Sequence, residues 1–126
     1  MPTADWRRLT RDAGLTVRED AIQVGFEDKR TQRVWVDDTD PAVMRIWSIA
    51  ATPSALRETP DPNLFAWQRN RLSDLVGFKT DRRGRVVGEA WVPRSGLTPE
   101  EWALYVGTVA RACDRVEYLL TGRDES

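Results

Sequence analysis

The stretch from Thr98 to Thr121 constrains the fold more than any other part of this chain. Thr98 and Glu101 stand at the two positions of a capping box, and Pro99 sits where a first helical residue tolerates proline. Beyond them Trp102, Val106, Val109, Cys113, Val116 and Leu120 follow at spacings of four, three, four, three and four. That is the period of one helix face. Tyr105, Ala112 and Leu119 widen the stripe beyond a narrow seam. The spacing predicts one helix to about Thr121, with Gly122 as its stop, spanning roughly 35 Å at about 1.5 Å per residue. So long an apolar face needs a broad surface to lie on.

Upstream segments supply that surface. Asp5 to Ala13 reads as a short helix, with Trp6, Leu9 and Ala13 on one stripe and Gly14 after it. Ala21 to Glu27 alternates Ile22, Val24 and Phe26 with Gln23, Gly25 and Glu27, the period of a strand. Asp28 to Thr31 reads as a polar turn, and Gln32 to Asp37 and Val43 to Thr52 as the next two strands of an antiparallel meander. A proline-rich crossing, Thr52 to Pro62, leads to a helix capped by Asp61 and running to about Leu75. Gly77 to Thr80 and Arg85 to Val92 are two strands joined at Asp81-Arg82-Arg83-Gly84. The predicted order is α-β-β-β-α-β-β-α: an α+β fold, a five-stranded antiparallel sheet with three helices, in a single domain spanning residues 1–126.

Composition narrows the chemistry. The 126 residues suffice to bury roughly two-thirds of the unfolded surface. With 19 Lys and Arg against 20 Asp and Glu, no net field draws the chain to nucleic acid or membrane. There is no histidine, which removes Ser-His-Asp and Cys-His catalysis and histidine metal sites together. Cys113 is the one cysteine, so an intrachain disulfide is excluded. Met1 to Leu15 is charged and lacks the apolar core of a signal peptide, and no apolar run spans a bilayer, which makes the cytoplasm the default address.

The second half of the chain resembles the YbjN-like family, whose fold is that of type III secretion chaperones. The residues that carry the likeness are Asn63, Gly77-Phe78, Asp81, Gly84-Arg85-Val86, the block Gly96 to Trp102, and the block Ala112 to Leu120. They are mostly folding signals and speak for fold before activity. The resemblance implies no catalytic residues, a tendency to dimerise, and a role in protein interaction or regulation; no cofactor is expected. It names no client protein.

Alternation places Trp35, Trp47 and Trp91 with Arg33, Arg45 and Glu89, opposite Val34, Met44, Ile46, Gly88 and Ala90. The small residues mark the side on which helices lie. Tryptophans among charges suit a partner surface, so Trp35, Trp47, Trp91, Arg33 and Arg45 are the candidate contacts for a client, with main-chain pairing at a free strand edge beside them. The wide stripe of the last helix packs on its own sheet or meets a second subunit. Gly107 favours a close approach, and Trp102, Tyr105, Val109 and Val116 are the candidate homodimer residues. Exchange of the whole helix between two chains, pivoting at Pro93 to Gly96, is a variant of that reading.

Other clusters read more plainly. The same Trp and Arg pattern, with Lys79, Arg82, Arg83 and Arg85, makes single-stranded nucleic-acid binding the alternative function, against which the balanced charge argues. Asp37-Asp38-Thr39-Asp40 lacks the ligand count of a calcium loop and reads as turn chemistry. Cys113 on the apolar stripe is a small hydrophobe, and Asp114 and Glu117 belong to a solvated helix face. The expectation is a non-enzymatic protein-binding adaptor or chaperone-like regulator.

Overall fold

The computed structural model describes residues 5–27 and 29–121, so Asp28 and the expected stop Gly122 lie outside the described residues. Asp5 accepts a hydrogen bond from the Arg7 amide and caps helix α1 (Trp6–Asp12). Strand β1 (Thr16–Arg18) follows, then β2 (Ala21–Gly25), β3 (Thr31–Asp37) and β4 (Val43–Ala51). Helix α2 (Pro62–Asn70) is capped by Asp61, whose carboxylate accepts from Leu64 N at 3.1 Å. Strands β5 (Gly77–Thr80) and β6 (Val86–Pro93) precede helix α3 (Pro99–Thr121). The capping box forms as the sequence predicts: Glu101 N donates to Thr98 Oγ1 at 3.1 Å, and Thr98 N donates to Glu101 Oε1 at 3.2 Å.

Among the described residues the sheet has six strands, in the order β1-β2-β3-β4-β6-β5, every pair antiparallel. The expected five become six because Thr16, Val17 and Arg18 pair with Gln23, Ile22 and Ala21. Three residues with one apolar member are too short to show a period, and Glu19 turns the chain with a positive φ of 59°. Helix α2 ends at Asn70, short of the expected Leu75.

Ile22, Val34, Met44, Ile46, Val86, Ala90 and Val92 line one face of the sheet, and α3 lies across it on β3, β4 and β6. Gly88 permits the approach: a Cβ there would stand 2.5 Å from Cys113 Sγ. Helix α1 packs on α3 in turn. Buried Thr10 donates to the Trp6 carbonyl at 2.6 Å and accepts from Trp102 Nε1 at 2.9 Å, so the tryptophan's one polar atom is satisfied inside the core. No helix among the described residues is long and apolar enough to cross a membrane.

Candidate functional site

The register brings the sequence-predicted tryptophans onto the sheet face away from α3. One row across the strands reads Arg18, Ala21, Trp35, Trp47, Glu89 and Gly77. The next row reads Asp37, Arg45 and Trp91. Arg33, two residues before Trp35, shares this face. Among the described residues α3 covers β3, β4 and β6 from the other side, while α1 has its main contacts with α3 and the edge strand β1, and α2 with the edge strand β5.

The indoles here fare differently. Trp35 and Trp47 are half-buried and stacked, with ring centroids 4.9 Å apart. The guanidinium groups of Arg45 and Arg85 lie over Trp47 at 5.2 and 5.8 Å. That stack is satisfied within the subunit. Trp91 is 55% exposed.

Glu89 organises the charge. Arg45 donates to Glu89 Oε2, and Lys79 Nζ stands 3.1 Å from Glu89 Oε1. Burial pushes the Glu89 carboxyl up, but hydrogen bonds from Arg45 and Lys79 outweigh it and hold it below the ordinary range. Asp81 behaves alike at the turn below: burial opposes ionisation, while the amides of Arg85 and Arg83 and the Arg85 side chain keep it low. Its carboxylate accepts from Arg85 Nε at 2.7 Å, and Gly84, with φ of 74°, closes the turn.

A second apolar surface, which the sequence reading missed, lies on and after α2. Leu64, Trp67, Leu72 and Leu75 are 49%, 55%, 74% and 40% exposed, and Ala66 is the one fully buried residue of the helix. Arg71 lies over the Trp67 ring at 5.3 Å. The signal was present: Leu64-Phe65-Ala66-Trp67 wraps apolar groups around more of a short helix than one neighbour can cover. The helix runs along the sheet edge, where Asn70 accepts from Phe78 N and donates to Phe78 O at 2.9 Å. Its amide thereby replaces a neighbouring strand at that point of β5.

A cleft of about 860 Å³ opens where β3 and β4 part beyond Trp35 and Trp47, bordered by Arg57, Glu58 and Leu120. Gln32 fills the seam, donating to Ser48 Oγ and to Ile49 O at 2.8 Å each, while Ser48 Oγ donates to Arg33 O.

The candidate dimer residues of the last helix need correction. Trp102, Val109 and Val116 are 0% exposed in the subunit's own core, and Tyr105 packs partly buried against it. Helix α3 packs on the sheet and on α1, so Trp102, Val109 and Val116 are not open to a docking partner, whereas Leu119 at the margin of the stripe is 55% exposed. Gly107 has the Arg111 guanidinium over it, a Cβ there meeting Nη1 at 3.0 Å. Cys113 is buried, and burial pushes its thiol up to about 12. In the acidic turn Asp37 Oδ1 accepts from Thr39 N and Oγ1, and Asp40 Oδ1 from Ala42 N at 2.7 Å. Asp114 is buried, with Arg30 Nη2 3.1 Å from its carboxylate, where a solvated face was expected.

No protein-family model matches the chain, and no curated protein sequence does. Solved structures do. YbjN from E. coli is 18% identical, covering 92% of this chain and 88% of its own at a TM-score of 0.62. ExsC, solved in complex with ExsE, is 17% identical, covering 91% and 92% at 0.60. The Yersinia pestis type III secretion chaperone SycH, solved with a fragment of YscM2, is 8% identical, covering 88% and 95% at 0.55. The chain has the fold of YbjN and of the type III secretion chaperones.

Proposed function

We propose that the chain is a non-enzymatic protein-binding adaptor of the chaperone kind, working in the cytoplasm as a homodimer. The observation that carries this reading is the pair of separate apolar surfaces on one subunit, the Leu64, Trp67, Leu72 and Leu75 patch and Trp91 on the open sheet face. Tryptophan and arginine dominate the energetics of protein interfaces, and Arg71 over Trp67 joins the two types at one spot. The complexes of ExsC and SycH support it, since subunits of this fold are there bound to protein partners.

The α2 patch is assigned to the second copy. An antiparallel two-fold pairing of α2 sets Asp61 at one end of the helix opposite the partner's end that carries Arg71, which makes the patch self-complementary in charge. The sheet face then remains for a client. Nucleic acid fits that face less well, because Trp35 and Trp47 spend ring faces on each other and on Arg45 and Arg85, whose charges are paired to Glu89 and Asp81.

Light scattering at micromolar concentration tests the dimer, with a dimer mass expected for the native chain and a monomer mass for Trp67→Asp at unchanged circular dichroism. A native monomer refutes the homodimer. Affinity capture from native extract, comparing the native chain with Trp91→Ser, tests the client surface: loss of a specific protein from the variant supports it, and identical captures refute it.

A further inference from the structure

The chain carries 19 Lys and Arg against 20 Asp and Glu, yet the surroundings of Trp91 are not neutral. Trp91 borders a shallow depression of about 660 Å³ with Arg45, Lys79, Thr80, Asp81 and Arg82. Three cations and one carboxylate line this depression, and their ion-pair partners Glu89 and Arg85 lie beside it. Glu89 already serves both Arg45 and Lys79, and Asp81 is held by Arg85, while Arg82 makes no ion pair among the described residues. Positive charge is therefore in surplus beside a large exposed indole.

We infer that this depression receives an acidic residue of the partner protein, with a neighbouring apolar side chain laid on Trp91. The inference rests on the protein-binding reading above and names the chemistry of the partner segment: acidic and apolar in alternation. Lys79 is half exposed and Arg82 is exposed, so a single incoming carboxylate has two accessible donors. A run of phosphates fits less well, because Glu89 and Asp81 repel the charges that follow the first, and Trp91 offers one ring where stacking successive bases needs several.

The test is fluorescence anisotropy with a short labelled peptide alternating glutamate and leucine, its glutamine and lysine counterparts, and labelled oligothymidylate. The glutamate peptide is expected to bind at least ~tenfold more tightly than the glutamine one. Lys79→Glu with Arg82→Glu should transfer the preference to the lysine peptide, and Trp91→Ser should weaken the glutamate peptide while the fold persists by circular dichroism. Equal affinity for the glutamate and glutamine peptides overturns the inference and leaves the protein-binding reading standing. Tight oligothymidylate binding with no peptide binding overturns both. Silence from every probe overturns the inference, and the dimer and capture experiments then decide the other reading alone.

Discussion

Replacing Gly88 by alanine tests how tightly α3 is seated. A Cβ at that position meets Cys113 Sγ at 2.5 Å, with Phe78 Cε1 and Val76 Cγ1 at 3.1 Å. Ordinary carbon contacts lie near ~3.5–4.0 Å, so the sulfur must withdraw by about 1 Å and the other two by less. Overpacking of this kind costs ~1–3 kcal/mol, offset by ~0.4–1 kcal/mol from the stiffer unfolded chain. The net expectation is a loss of about 1–2 kcal/mol, or a fall in Tm of roughly 4–10 °C for a domain of this size. Cys113→Ala empties the space the new methyl needs and by itself costs about 1–2 kcal/mol as a small cavity. The double variant should therefore be little worse than Cys113→Ala alone, a favourable coupling of about 1–2 kcal/mol. Urea melts followed by circular dichroism on the four proteins read this directly. Additive losses, or a Gly88→Ala protein as stable as the native one, would refute the close seating of α3 on β6.

Acid weakens the sheet face through Glu89, whose folded pKa lies below its usual 4.5. Its contribution is fully present above that unfolded value and is lost as pH falls through the folded one, so Glu89→Gln should flatten the acid limb of stability against pH. Asn70→Ala leaves Phe78 N and O without their side-chain partner at the edge of β5; a loss of about 1–3 kcal/mol and faster aggregation on warming are expected, read by thermal melts and turbidity. Thr10→Val strands the buried Trp102 Nε1 donor at a cost of about 1–3 kcal/mol, whereas Thr10→Ser should retain most of the stability in the same urea melts.

Elements set by local chemistry were legible in the sequence. The capping box at Thr98, the proline start after Asp61 and the alternation from Val43 onward each appear where the residues demand them. The shared face of Trp35, Trp47 and Trp91 was readable too, because strand parity fixes sides without knowledge of register. What failed needed tertiary information. Helix α2 stops early because the Asn70 side chain turns to Phe78, a partner eight residues on and in another element. The stripe on α3 left a second subunit open beside the chain's own sheet, because nothing in its spacing reveals that α1 lies on it as well. The open patch around Trp67 was not recognised for the converse reason, that among the described residues α2 has β5 as its one substantial neighbour.

The covering of one sheet face by α3 also sets the order in which risk arises during synthesis. Val34, Met44, Ile46 and Val92 are made before the helix that hides them. Until the residues after Thr98 leave the ribosome, the growing polypeptide carries a broad greasy slab open to water. Its most hazardous moment is thus not in the finished molecule but just before α3 arrives to close it.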